Sequence, residues 1–349
     1  MRRLAVKWDD ALVDADGHVS GHDAGATLVR RLLRLSEAPL LIGPGPRRCA
    51  GFDLVPLEFV DGDSTVVVNL DVLDSAEVWR TLRQRCENPA VMNFQWGPTT
   101  SYVDRVPQLA EALSFALFPT FANSERTAQE VREVVARWTV PPVAEKAKVA
   151  WVNLGFRVEH VQPRHPTAEP LVLYPAIYLS ERKQPRLFLD VVERVHARLP
   201  IRVVMRLHES HLVSELAMRI SQKDWVWVGP LTATRVSYWE GLAGTTAFLA
   251  TATEESYGLE YVEALAAGVI GIFPDAPWAH ALVPAGYPYF WRTPAEAEAM
   301  LLRAVTDPDA CRAELDAVVA GSFTAWIAAK HDDHSFEHTL LTQLHDWFD

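Results

Sequence analysis

Thr251-Ala-Thr-Glu254-Glu255-Ser256-Tyr257-Gly258-Leu259-Glu260-Tyr261-Val262-Glu263-Ala264-Leu265-Ala266-Ala267-Gly268 is the stretch on which the reading of this chain turns. It follows an apolar run, Ala247–Ala250, and turns through Ser-Tyr-Gly into a segment of helical period. That segment closes at Gly268, just before a second apolar run, Val269–Phe273. Strand, loop, helix, strand is the repeating unit of a parallel sheet. A helix opening straight out of such a loop offers free backbone amides and the positive end of its dipole, which suits a phosphate. Gly258 lets backbone and ligand approach closely. Glu255 lies in the loop and Glu263 about two turns further on, so a carboxylate stands on either side of that phosphate position. Two glutamates at this spacing on a charged helix otherwise mean a solvated face. The strand before them and the glycines at both ends favour a site.

Outward from this stretch the same alternation continues in both directions. Upstream, Leu171–Tyr174, Ile201–Val204 and Trp225–Val228 read as strands, with helices over Pro185–Arg198, Leu212–Ser221 and Val236–Gly241. Leu4–Val6, Leu40–Ile42, Val66–Val68, Ala90–Phe94 and Leu117–Phe121 form an earlier series, separated by helices over Gly25–Leu35, Ser75–Glu87 and Ser124–Trp138. Strands apolar on both faces and separated by helices imply parallel sheets covered on both sides. The pattern lapses at Trp138–Lys148, a short proline-bearing charged stretch that suits a domain junction. From Thr293 onward the chain reads as helical. The chain is therefore expected to be α/β with two doubly wound domains and a helical tail, and ligands are expected outside the carboxyl ends of the strands.

Composition excludes several classes. The 349 residues suit two domains, and 49% hydrophobic against 22% charged residues is enough for real cores. No apolar run reaches the ~18–20 residues of a membrane span, and acidic residues follow Arg2-Arg3 too soon for a signal peptide. Cys49, Cys86 and Cys311 have no paired spacing, which points to a reducing cytoplasm. A net charge of −12 disfavours nucleic acid as a partner. The first loop, Gly17–Thr27, is longer than a turn needs, and its His18 and His22 lack a third and fourth metal ligand. His208-Glu-Ser-His211 lacks zinc-protease spacing, and His331, His334 and His338 read as solvated tail residues.

The 251–268 stretch resembles the signature of the large group-one family of retaining glycosyltransferases, in which two glutamates are separated by seven residues. Ser256-Tyr-Gly-Leu259, Glu263-Ala264 and Gly268 match it as well. Weaker matches are Phe121–Thr127, Val149–Arg157 with Val161-Gln-Pro163, and His334–Trp347, so that the resemblance covers roughly 117–349. It implies a GT-B architecture: two Rossmann-like domains facing a central cleft, with a C-terminal helix crossing back. The expected divisions are 1–145 (acceptor side), 146–325 (donor side) and 326–349 (returning helix).

The resemblance further implies transfer of a sugar from a nucleotide-diphosphate sugar to a hydroxyl acceptor, without a metal. Glu255 would contact the transferred sugar and Glu263 the ribose. Ser256 and the amides of Tyr257, Gly258 and Leu259 would face the sugar and diphosphate. The family's diphosphate-neutralising lysine falls on Arg182 or Lys183. Its arginine, five residues earlier, falls on Ile177 or Tyr178, neither a cation, and Arg206 is a candidate substitute. On the acceptor side His22 and Asp23 could meet a hydroxyl, with Asp71, Gln95 and Trp96 as further candidates. A monomer or homodimer is expected. Three alternatives stay open: a nucleotide-binding protein that has lost turnover, a transferase acting on nucleic acid, and an epimerase.

Overall fold

A computed structural model describes residues 2–21, 23–231 and 234–349. The chain divides into two compact units. One comprises 1–153 with 334–349, the other 154–333.

The first unit is built on eight strands: β1 (Arg3–Lys7), β2 (Leu40–Ile42), β3 (Arg47–Arg48), β4 (Asp53–Val55), β5 (Thr65–Asn69), β6 (Ala90–Gln95), β7 (Thr120–Ala122) and β8 (Val149–Trp151). Their order is β3-β4-β2-β1-β5-β6-β7-β8, parallel except where β3 pairs with β4. Every residue of β5, β6 and β7 is buried, as strands covered on both faces must be. The strand order reverses between β1 and β5. β8 pairs with β7, so the first unit runs past the stretch 138–148 where the sequence pattern lapses. The helix Asp333–Phe348 brings the chain back to the first unit, where buried Phe336 meets Phe94 and Trp347 meets Phe121.

Two features of this unit depart from the sequence expectation. The helix Arg105–Leu117 was not anticipated, because Pro107 interrupts its apparent period. Proline is tolerated there, in the first turn, where its missing N–H has no intrahelical partner to lose. The strand expected at Leu117–Phe121 begins only at Thr120, since Leu117 still ends that helix.

The second unit holds six parallel strands: β9 (Leu171–Tyr174), β10 (Arg202–Leu207), β11 (Val226–Pro230), β12 (Ala247–Leu249), β13 (Ile270–Pro274) and β14 (Phe290–Trp291). Their order is β11-β10-β9-β12-β13-β14, and the reversal lies between β9 and β12. The single helix expected over 212–221 is two pieces, Glu209–Leu212 and Glu215–Ile220. Ser214 breaks it by accepting from the Ala217 amide as an N-cap. Four helices follow Thr293, matching the tail read from sequence. Entry and exit of this unit are laced together: Phe156 bridges Asp332, and Arg157 Nε lies 3.3 Å from Asp333 Oδ2. Among the described residues no helix is long and apolar enough to cross a membrane.

Candidate active site

At the strand reversal of the second sheet, the loop after β12 meets the loop after β9. The first contains Glu254 and Glu255, and Glu260 and Glu263 follow on the helix it enters. The second ends in the short turn Glu181–Lys183. Backbone contacts tie the two loops: the Thr253 amide donates to Arg182 O at 2.9 Å, and Thr251 Oγ1 to Lys183 O at 2.7 Å. Ion pairs complete the tie. Arg182 reaches Glu254 at 3.0 Å near the surface, whereas Lys183 pairs with Glu255 in a more sheltered position. Glu255 also accepts from the Tyr261 hydroxyl at 2.8 Å. Of the two cations between which the sequence left a choice, Lys183 is the one joined to Glu255.

Gly258 turns the loop into the helix Leu259–Ala266 with φ +93°, and a Cβ there would fall 2.6 Å from the Tyr261 ring. Only glycine fits that left-handed entry without strain. Ser256 is half-buried beside it. Tyr257 points its side chain inward, where its hydroxyl is hydrogen-bonded to His331 Nδ1. His331 is wholly buried and also faces Leu282 O at 3.3 Å. Burial, then the charge of Lys330, lowers its pKa to about 3, so it is neutral. His331 is thus an anchor of the site loop, not the solvated tail residue expected from sequence. His334 and His338 are exposed.

Glu263 is buried and paired with Arg235, at the start of the helix Arg235–Gly244. The Arg235 guanidinium lies over the rings of Tyr238 (4.8 Å) and Trp239 (5.7 Å). Burial works against its charge, but Glu263 outweighs that and holds its pKa up. Arg235 escaped the sequence reading because its partner lies 28 residues away and no motif marks it. Glu260 is a third carboxyl here. Burial, together with the charges of Glu263 and Glu255, raises its pKa to about 8, against the opposing charges of Lys183 and Arg206. Arg206 lies across Trp227 at 5.2 Å and lines a 40 Å³ cavity with Tyr238 and Gly241. Tyr178 packs on His208 (5.6 Å) and His211 (5.3 Å).

The acceptor-side candidates lie in the first unit. Asp23 caps the helix Ala24–Leu33, accepting from the Ala26 amide at 2.9 Å. His22 lies outside the described residues. Gln95 is buried and donates to Gly97 O at 2.8 Å, shaping its own loop. Trp96 makes an edge contact with Trp8 at 5.9 Å. Asp71 takes part in a network around the buried Lys7 missed in the sequence: Lys7 Nζ lies 2.7 Å from Asp9, 3.1 Å from Asp71 and 2.6 Å from Asp74. These three acids are close enough together to hold a metal ion, but the Lys7 ammonium already stands among them. Burial opposes its charge, yet hydrogen bonds to Asp74 and Asp9 prevail and raise its pKa. The network is invisible locally because Lys7 and Asp71 are 64 residues apart.

No family model matches the sequence, and no curated protein matches it. Solved structures do match in fold. The sucrose-phosphate synthase of Thermosynechococcus elongatus superposes with a TM-score of 0.69 at 13% identity, covering 100% of this chain and 99% of its own. Anabaena HepE, solved with UDP-glucose, gives 0.71 at 14% identity over 99% and 100%. An α,α-trehalose-phosphate synthase (UDP-forming) from Burkholderia vietnamiensis gives 0.70 at 11% identity over 99% of each chain. With two parallel-sheet α/β units and matches of this quality along its whole length, the chain has the GT-B fold.

Proposed function

We propose that this chain is a retaining glycosyltransferase that moves a sugar from a nucleotide-diphosphate sugar to a hydroxyl acceptor. One observation carries the reading. At the strand reversal of the second sheet, Lys183 and Glu255 meet directly beside the glycine-entered helix Leu259–Ala266. Amides at that helix start and the Lys183 ammonium would neutralise a departing diphosphate, the electrostatic task that usually dominates such a reaction. No metal is required for it. Glu255 would hold hydroxyls of the transferred sugar, and Glu263 those of the ribose. With Lys183 in the lysine role, the empty arginine position is Tyr178 instead of Ile177.

A second reading, nucleotide binding with weak turnover, is favoured by a specific feature. Three cations around this loop and helix are already paired: Lys183 with Glu255, Arg182 with Glu254, Arg235 with Glu263. A diphosphate must compete with these carboxylates. Thermal shift and calorimetry against UDP, GDP, ADP, dTDP and their sugars, followed by product analysis, test both readings. Binding with turnover and an axial product bond supports the transferase. Tight binding without hydrolysis or transfer leaves the second reading, and no binding by any nucleotide overturns both.

A further inference from the structure

The loop between β1 and the helix Ala24–Leu33 is longer than a turn needs, and its path shows where the extra length goes. It folds on itself through a bridge between Val13 and Val19 and a bond from the His18 amide to Asp14 Oδ1 at 2.8 Å. It then joins the β3–β4 hairpin, where the Ala50 amide donates to Gly17 O at 2.9 Å and Arg47 Nη1 to Asp14 O at 2.8 Å. The hairpin turn and the connection after Leu33 lie at the amino ends of β2 and β4, which pair from Leu40 and Asp53 onward. The loops after β5 and β6 emerge at the other edge of the same sheet.

Loop, helix end and hairpin turn enclose a cavity of 320 Å³. Its polar lining is His18, Arg30, Arg34 and Ser36, and among the described residues no acidic side chain lines it. In a chain of net charge −12 that is a local reversal of sign. Val19, Leu33 and Phe52, all buried, supply an apolar floor. Arg30 is fixed in place: Nη1 donates to Val19 O at 3.0 Å and Gly21 O at 2.7 Å, and Nη2 to Thr27 Oγ1 at 3.1 Å. These three acceptors are neutral, so they orient the guanidinium without cancelling its charge. Arg34 and His18 are exposed at the mouth. Arginines at a helix C-terminus also favour its dipole, but that role calls for neither His18 nor a cavity. Guanidinium forks match the oxygens of a phosphate. The volume is close to the lower bound of ligand pockets, about 300 Å³, and suits a phosphate on a compact body.

We propose that this cavity is a binding site for a small phosphomonoester, with Arg30, Arg34 and His18 around the phosphate and Val19, Leu33 and Phe52 beneath its organic part. The site lies within the first unit, at the sheet edge away from the strand carboxyl ends. It does not rest on the glycosyltransferase reading.

Calorimetry on the full chain tests it with phenyl phosphate, glycerol 3-phosphate, inorganic phosphate and neutral benzyl alcohol as probes. Both esters should bind, benzyl alcohol should not, and phenyl phosphate should bind about tenfold tighter than inorganic phosphate because its ring covers the apolar floor. Arg34→Gln, at an exposed side chain, should weaken phenyl phosphate roughly tenfold, the usual loss of one charge-assisted hydrogen bond. His18→Ala should weaken it several-fold. Lys183→Met, which removes a cation of the second unit, should leave it unchanged. No binding of either ester at millimolar concentration, benzyl alcohol binding as well as the esters, inorganic phosphate binding as tightly as phenyl phosphate, or both first-unit variants binding like the parent would overturn the proposal. So would complete loss of binding in Lys183→Met, which would place the ester at the helix start of the second unit.

Discussion

At the scale of single residues, the most informative group is one with no place in the chemistry. His331 is neutral in the folded chain, its pKa about 3, whereas the unfolded chain takes up a proton near 6.5. The stability this supplies is complete above pH 6.5 and is lost as pH falls toward 3, by about 1.4 kcal/mol per unit within that window. Glu111 has the opposite sign. Burial raises its pKa to about 7, so its contribution is complete below the unfolded value near 4.5 and is lost as pH rises through 7. The two slopes overlap, so the effect of His331 must be read as a difference. We expect His331→Gln to be less stable than the parent at pH 7.5, with the gap shrinking at pH 6 and 5. Urea midpoints of both proteins at the three values check this, and a gap independent of pH would contradict it. Nothing local announces His331, since its burial is created by Tyr257 and Leu282 from elsewhere in the chain. Glu255, Gly258 and Glu263 were legible because their geometry comes from one loop and one helix, contiguous in sequence.

At the scale of elements, the proposed transferase centres on the tie between the loops after β9 and β12. Two adjacent cations enter it differently, so they should respond differently to removal. Lys183→Met strips Glu255 of its ammonium partner and removes the cation beside the helix start. Turnover should fall roughly 10²–10³-fold, the usual effect of deleting such a group. Arg182→Met removes an ion pair near the surface, worth about 0–1 kcal/mol, and should leave turnover within about threefold. Initial rates with the donor that the nucleotide screen identifies decide it, and equal losses would refute the division of roles. Glu260 supplies a second test. Its pKa is about 8 among Glu263, Glu255, Lys183 and Arg206, and a diphosphate at the helix start would raise it further. Binding should therefore draw a proton onto Glu260, and affinity should fall as pH rises through 8 and beyond. Calorimetry from pH 7 to 9.5 should show that decline in the parent and a flat profile in Glu260→Gln. Sequence pattern gave most strands and helices within a few residues, because apolar runs and helical periods are local. It missed the β3–β4 hairpin, whose strands are two and three residues long, and the helix that carries Pro107 in its first turn.

At the scale of the whole molecule, the chain leaves the first unit after residue 153 and returns to it at 334, so the first unit depends on a segment that follows the whole of the second unit in sequence. The return is held by apolar contacts. Phe336 is fully buried against Phe94, with the Arg31 guanidinium 4.3 Å from its ring centre, and Leu340 and Leu344 are buried along the same helix. Truncating such an aromatic costs about 3–5 kcal/mol through lost burial and the cavity it leaves. All of these contacts belong to the first unit, so the loss should be confined to it. A scan of Phe336→Ala by calorimetry should show one transition displaced to lower temperature by several degrees. UDP or whichever nucleotide the second unit binds should still raise the other transition by its usual increment. If both transitions move together, the two units melt as one cooperative body and the chain's division is geometric only. If only the first moves, the returning helix is the seal of the first unit, and the loops after β9 and β12 fold without it.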